Sequence, residues 1–305
     1  MGTRPTKVAC IINGASGSNR AQDMDERLRE LFANSGVVAR ITLASGSDLS
    51  ALAEQAVRDE HTIVVAGGGD GTINAVASAL VGTDVALGVL PLGTLNHFAK
   101  DLKIPLELEQ AVANVFSGER VSVDVGEVNG RVFLNNSSIG VYPWFVQQRD
   151  DLQSRGYGKW MASLPAMLAV AKRRSRLYVR LLVDERHERA RETPFAFVGN
   201  NKYEIAGVRL GERTQLDSGQ LWVCRAPRVG LMKLPGLLLK SLAGFEPREL
   251  DTLETREVWI ETPSKRVSVA IDGEVTELDS PLHYVNRPRA LNVIVPVRDA
   301  AASKP

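Results

Sequence analysis

The chain has 305 residues, 44% of them hydrophobic and 24% charged. That is about twice the ~150 residues a single domain commonly takes, so two domains with substantial cores are expected. Its 37 Lys and Arg stand against 36 Asp and Glu, a formal charge of +1, which removes any global pull toward nucleic acid and any charge-driven disorder. Cys10 and Cys224 lie in apolar strand-like runs, which argues against a disulfide framework and suits a reducing, cytoplasmic setting.

The opening MGTRPTKVACIINGASG lacks the basic, long apolar and cleavage regions of a secretory signal, so no export is expected. Next, VACII, VARITLA, TIVVAGGG and ALGVLPLG read as strands. Between them lie helical patterns that include Met24, Leu28, Leu31 and Phe32, then Leu49 to Arg58, Ala75 to Leu80, and Leu106 to Phe116. Strands alternating with helices predict a parallel sheet covered on both faces.

After Glu119 the pattern changes. VSVDVGEV and RVFLNNSSI flank Asn129-Gly130, a strong hairpin signal, and RLYVRLLVD, PFAFVGN, GQLWVCRA, REVWIET, RVSVAID and LNVIVPV follow as strands. The expectation is an α/β N-terminal domain over 1–122 and a β-rich sandwich over 123–305. The last strand is free to pack back toward the first domain. Helical insertions are expected at Trp160 to Ala171 and Val229 to Phe245. Both are interrupted by polar residues or proline and fall short of the roughly 18 to 20 apolar residues of a membrane span.

The turn after TIVVA reads GGGDGTINAVASAL. Successive glycines let backbone N–H groups approach an anion, and the following helix offers its positive end. A plain strand-to-helix turn capped by Asp70 or Thr72 is the alternative. The spelling is neither that of a P-loop, which needs Lys after the glycines, nor the dinucleotide fingerprint, which needs Gly where Thr72 or Asn74 stands. NGASGSN ends the first strand and GTLNHFAKDL follows ALGVLPLG, so three glycine-bearing turns are expected at the carboxyl edge of the sheet, where such folds bind ligands.

GGGDGTINAV with LPLGTLNHFA resembles the catalytic domain of the diacylglycerol kinase family, which includes sphingosine, ceramide and bacterial lipid kinases. NGASG, Asp124 in VSVDVG, NNSSIG, LDSGQL and IDGEV extend the likeness over most of the chain. The resemblance implies transfer of the ATP γ-phosphate to a lipid hydroxyl such as that of diacylglycerol or a sphingosine-like lipid, with Mg2+, in an NAD kinase/diacylglycerol kinase-like fold whose β-rich domain takes the lipid. It implies that Gly67, Gly68, Gly69, Asp70, Gly71 and Thr72 cradle the triphosphate, and that Asn13, Ser16, Gly17, Thr42, Asn74, Thr94 and Asn96 complete the nucleotide site. It implies Asp272 and Glu274 as the source of the general base, since one carboxylate of a close pair can have its pKa raised toward the working range. An ordinary Asp-Gly hairpin turn is the competing reading of the same residues. Asp70 and Asp124 are the implied metal ligands; at the structural Mg2+ site either Asp217 substitutes for the family's ligand or that metal is absent. Asp70 can cap a helix and still address a hydrated ion.

Four positions depart from the family spelling. His97 stands where GTxND has an acidic residue, Ser218 where a structural Mg2+ ligand is usual, Ala75 for Glu, and Gly14 for Pro. Two segments have the pattern of interfacial helices, RGYGKWMASLPAMLAVAKRRSR over 155–176 and Leu231 to Leu242, so peripheral membrane contact is an expectation beside packing on the protein's own β domain. A homodimer is left open. Two other functions stay in play: a kinase of a soluble hydroxyl such as that of NAD, and a nucleotide- or lipid-binding regulator without turnover.

Overall fold

The computed structural model describes residues 7–14, 18–35, 39–44, 46, 48–140, 143, 177–183, 186–187, 191–193, 195–205, 211–225 and 250–297. The chain forms two compact units, Met1–Val123 with Arg289–Pro305, and Asp124–Pro288.

The first unit runs β1 (Val8–Asn13), α1 (Ser18–Asn34), β2 (Ala39–Ala44), α2 (Leu49–Arg58), β3 (Ile63–Gly68), α3 (Asp70–Leu80), β4 (Ala86–Pro91), α4 (His97–Asp101) and α5 (Leu108–Ser117). The strands are parallel in the order β2, β1, β3, β4. Their near-continuous apolar runs are what a sheet buried on both faces requires. Leu28 and Phe32 of α1 and Val112 and Val115 of α5 pack on Cys10, Ile12, Val65 and Leu90. Met24 and Leu31 join the same cluster, as their helical spacing predicts. GTLNHFAKDL is not all turn, because α4 forms within it.

The second unit holds most of β5 (Glu119–Val128), then β6 (Arg131–Phe133), β7 (Asn136–Gly140), β8 (Leu177–Val183), β9 (Arg186–His187), β10 (Arg191–Thr193), β11 (Phe195–Asn200), β12 (Leu221–Arg225), β13 (Asp251–Thr255), β14 (Glu257–Glu261), β15 (Arg266–Ile271), β16 (Glu274–Asp279) and the first half of β17 (Leu282–Val295). One antiparallel sheet has the order β13, β12, β11, β7, β15, β16. Across the core, β10, β8, β14 and β17 are neighbours in the other sheet. Ile139, Val198, Val223 and Val269 from the first sheet meet Val179, Leu181, Val258, Ile260 and Tyr284 from the second, giving the expected sandwich. The second half of β17 belongs to the first unit, where Asn292 and Val293 pair in parallel with Ala86 and Leu87 of β4.

The hairpin at Asn129-Gly130 forms as its spelling predicts, with φ of 45° and 81° and Val128 opposite Arg131. RVFLNNSSI, however, is not one strand. It breaks at Leu134 and Asn135 into β6 and β7, which belong to different sheets. The expected insertions at 160–171 and 229–245 lie outside the described residues. No helix among the described residues is long and apolar enough to cross a membrane.

Candidate functional site

In the first unit, three turns at the carboxyl edge of the sheet are tied together. Asn13, at the end of β1, donates from Nδ2 to Thr72 Oγ1 at 3.0 Å, fixing the first turn to the opening of α3. Leu92 N donates to Gly68 O at 3.0 Å, which joins the turn after β4 to the end of β3. Phe98 N, in the first turn of α4, donates to Asp70 Oδ1 at 3.4 Å.

Glycine is needed where these turns meet. A methyl group on Gly93 would lie 2.5 Å from Gly69 Cα, and one on Gly68 would lie 2.5 Å from the Thr72 side chain. Asn96 holds the third turn in a left-handed conformation, φ 51° and ψ 47°. Its Oδ1 accepts from Gly93 N at 3.1 Å, and its Nδ2 donates to Pro91 O at 3.1 Å and Gly93 O at 2.8 Å. Both amide hydrogens and the oxygen of Asn96 are thus engaged in its own turn.

Helix α3 begins on Gly69, and no side chain caps it. Asp70 and Thr72, the two residues a simple capped turn would use, are engaged elsewhere: Asp70 on Phe98 N and Thr72 with Asn13. The first-turn N–H groups of α3 therefore have no side-chain acceptor from the N-cap. Together with the positive helix end and the absence of Cβ atoms, that arrangement suits a phosphate. Gly67 and Gly68 are buried, while Gly69, Gly71 and Asn74 are half-buried. Thr94 is exposed in the turn after β4, and Thr42 is half-buried in β2 opposite Ile11. Ser16 and Gly17 lie outside the described residues.

The second unit builds a different site around Asp272. Asp272 and Gly273 form the turn between β15 and β16 with φ of 47° and 88°. The Asp272 carboxylate accepts three backbone hydrogen bonds at the corner between β6 and β7, from Leu134 N at 2.8 Å and from Asn135 N and Asn136 N at 2.9 Å each. These N–H groups are unavailable to a strand ladder, which is the physical reason RVFLNNSSI divides. Burial pushes the Asp272 carboxyl up to about 6, against the lowering pull of these three hydrogen bonds and of the Arg213 guanidinium. Desolvation, rather than a like charge in a close pair, is the main cause, and Glu274 is exposed at the start of β16.

Around this corner lies a buried polar network that sequence reasoning missed. Arg213, 3% exposed, donates from Nη1 to Leu134 O at 2.7 Å and Asn200 O at 3.0 Å, and from Nη2 to Asn135 Oδ1 at 2.7 Å. Asn200 Nδ2 donates to Leu134 O at 3.0 Å and Asp124 O at 2.9 Å. The doublets Asn135-Asn136 and Asn200-Asn201 at strand ends were the available signal. Arg213 sits in a polar stretch with no pattern to single it out.

The residues present fit the two implied metal roles unequally. Asp70 Oδ1 takes one long hydrogen bond, so the carboxylate can still address a hydrated ion that arrives on a nucleotide. The structural site near Ser218 does not fit. Ser218 donates from both N and Oγ to Asn201 Oδ1, at 3.0 and 2.6 Å, and the fully buried Asp124 accepts from Gly219 N at 2.6 Å. Asp217 is exposed, and among the described residues no group of three or more His, Cys, Asp or Glu could hold a metal ion. His97 is the exposed first residue of α4. The segments at 155–176 and 231–242 lie outside the described residues.

Residues 7–128 match the diacylglycerol kinase catalytic domain. A protein of Pseudomonas savastanoi pv. phaseolicola named "Probable lipid kinase YegS-like" is 30% identical over 271 residues, covering 87% of this chain and 86% of its own. Among solved structures, a diacylglycerol kinase from Bacillus anthracis str. Sterne superposes with a TM-score of 0.76 at 21% identity, over 98% of this chain and 99% of its own. An NAD kinase from Archaeoglobus fulgidus in complex with ATP gives 0.51 at 12% identity, over 94% and 93%. At these identities the two structures speak to fold alone.

Proposed function

Because the chain belongs to the diacylglycerol kinase catalytic-domain family, we propose that it is a lipid kinase that transfers the γ-phosphate of ATP to a lipid hydroxyl. The observation that carries the reading is the fused glycine edge of the first unit. There Gly93 approaches Gly69 so closely that no Cβ fits, and α3 opens without a capping side chain. Glycines packed this closely at the opening of a helix suit a triphosphate held by backbone N–H groups.

Phosphoryl transfer asks a protein mainly for positioning and charge neutralisation. The first turn of α3 and the turn at Gly93 would hold the phosphates, and Asp70 would address the Mg2+ of the nucleotide, which would supply neutralisation of the phosphate charge. Asp272 takes the proton of the lipid hydroxyl as its oxygen bonds to the γ-phosphorus and ADP leaves. Asp272 is preferred over Glu274 because its carboxyl, raised to about 6, lies near the working range while remaining mostly ionised at neutral pH. Access to a bilayer substrate makes peripheral contact with lipid part of the same proposal.

The test is incubation with γ-labelled ATP, Mg2+ and a panel of diacylglycerol, sphingosine-type lipids and NAD. Label in a lipid is the expected result. Label in NAD alone would replace the lipid reading with a soluble acceptor, and ATP binding without transfer to any acceptor would leave a regulator.

A further inference from the structure

The side chain that holds the acceptor carboxylate is two hydrogen bonds away from it. One peptide group, C=O of Leu134 and N–H of Asn135, stands between a guanidinium and a carboxylate. Arg213 Nη1 donates to its oxygen at 2.7 Å, and its N–H donates to Asp272 Oδ1 at 2.9 Å. A second path runs beside it, since Arg213 Nη2 donates to Asn135 Oδ1 at 2.7 Å and so fixes the side chain of the same residue. Nη1 also donates to Asn200 O at 3.0 Å, while Asn200 Nδ2 returns to Leu134 O at 3.0 Å, so the carbonyl is held from both sides.

We propose that Arg213 is the positioning residue of the acceptor site, holding the Asp272 carboxylate in place through the Leu134–Asn135 peptide. The proposal rests on the kinase reading for its consequence in turnover, but not for its physical content. Hydrogen bonds in series between opposite charges polarise the intervening amide and strengthen one another. A planar fork serves two acceptors at fixed angles, which an ammonium cannot reproduce. A buried guanidinium also needs several acceptors, and the corner supplies two carbonyls and an amide oxygen. Among the described residues, the charged or titratable groups at this corner include Arg213, Glu274 across the turn, Tyr203, and the buried Asp124, whose backbone O shares Asn200 Nδ2 with Leu134 O. The Tyr203 hydroxyl accepts from Asn136 Nδ2 at 3.3 Å, and its ring lies 5.4 Å from the guanidinium. Arg213 opposes the effect of burial on Asp272.

The experiment compares Arg213→Met and Arg213→Lys with the parent, by carbon NMR titration of the Asp272 carboxyl and by the pH profile of kcat/KM. In Arg213→Met the Asp272 midpoint should rise by more than about half a pH unit, and the acid limb of the rate profile should move up with it. In Arg213→Lys the charge is retained, so the midpoint should stay near the parent's while kcat falls about tenfold or more from lost alignment. In an Asp272→Asn background, Arg213→Met should lower kcat by less than about twofold, as expected of residues acting through one group. An unchanged Asp272 midpoint in Arg213→Met, or a full additional loss in the double variant, would overturn the proposal. If Arg213→Met does not fold, Arg213→Lys decides: a parental kcat rules out a positioning role. If the parent phosphorylates no lipid, the kinase reading fails while the carboxyl titration still decides whether Arg213 governs Asp272.

Discussion

The glycine edge of the first unit and the Asp272 corner of the second solve opposite problems. At the edge, the groups proposed to act are backbone N–H donors, and the sequence exposes them by leaving atoms out: Gly69 has no side chain to cap α3, and Gly93 has none to push the turns apart. At the corner the active group is a side chain, and the backbone is consumed in holding it, with three N–H groups on one carboxylate. The edge is built from short-range turns. The corner needs residues 134–136, 200, 213 and 272 to arrive from separate parts of the chain. A donor site that grips a polyanion works through many weak, interchangeable contacts. An acceptor site that moves one proton depends on one atom in one place.

The sharpest way to break this contrast is at the single atom. Asp272→Asn keeps the left-handed turn, which Asn tolerates well. It removes the base and sets an amide NH2 against a backbone N–H. We expect kcat to fall by about 10² to 10⁴-fold and stability by about 1 to 3 kcal/mol, with ATP affinity near the parent value, measured by titration calorimetry. Glu274→Gln should cost much less. An equal loss in kcat would move the base to the exposed carboxylate.

At the edge, the prediction separates two neighbouring glycines. Gly93→Ala drives its methyl to within 2.5 Å of the Gly69 backbone, where nothing flexible can yield. It should cost about 1 to 3 kcal/mol of stability and weaken ATP binding by about tenfold or more. Gly69→Ala meets nothing nearer than Gly93 Cα at 3.6 Å, at an ordinary φ of −83°. The fold should therefore be nearly unchanged, and any loss should fall on nucleotide binding. Thermal melts with and without ATP distinguish the pair.

The same contrast decides what could be read from the sequence. The edge was largely legible, since Gly68, Gly69 and Gly71 flag a turn and a following helix whether or not anything binds there. The fold was legible for a similar reason: runs such as VACII and RVSVAI carry their burial in their spelling, and Asn129-Gly130 forms the hairpin it announces. The corner was only half legible. IDGEV marks the turn, but the capture of Leu134, Asn135 and Asn136 is a long-range event that overrides the strand propensity of RVFLNNSSI. Arg213 carries no local pattern, because its partners are two backbone carbonyls and an amide oxygen at the ends of strands distant in sequence or fold. The side chain of Asn96 closes its own turn, which the spelling GTLNHF does not announce.

The pH response should also set the two regions apart. The Asp272 carboxyl, pushed up to about 6 from an ordinary 3.8, must be ionised to act as base. kcat/KM should therefore climb about tenfold per pH unit up to roughly pH 6 and then level. Stability moves the other way. The folded state binds the proton more tightly than the unfolded state, so this contribution is full below pH 3.8 and is lost as pH rises through about 6. Asp272→Asn should flatten both trends, whereas Gly93→Ala should leave the rate limb where it is. A limb that survives in Asp272→Asn would assign it to another group.

The smallest expected effect probes whether the polar network near the corner needs a cation. Ser218 donates from both N and Oγ to Asn201 Oδ1, and Asn201 Nδ2 is directed to Asn200 Oδ1 at 3.3 Å, so the asparagine cannot turn its amide to meet a negative charge without releasing Asn200. Ser218→Asp replaces a donor with a carboxylate facing an amide oxygen. We expect a loss of about 1 kcal/mol in EDTA, seen as a drop of a few degrees in Tm. Mg2+ should recover part of that loss by pairing with the new charge. The parent, without nucleotide, should melt at the same temperature in Mg2+ and in EDTA, because Ser218 already bonds Asn201 and Asp124 already accepts from Gly219 N. Stabilisation of the parent by Mg2+ alone would mean that the network gives up these bonds to a cation, and that the corner, like the edge, depends on charge brought from outside.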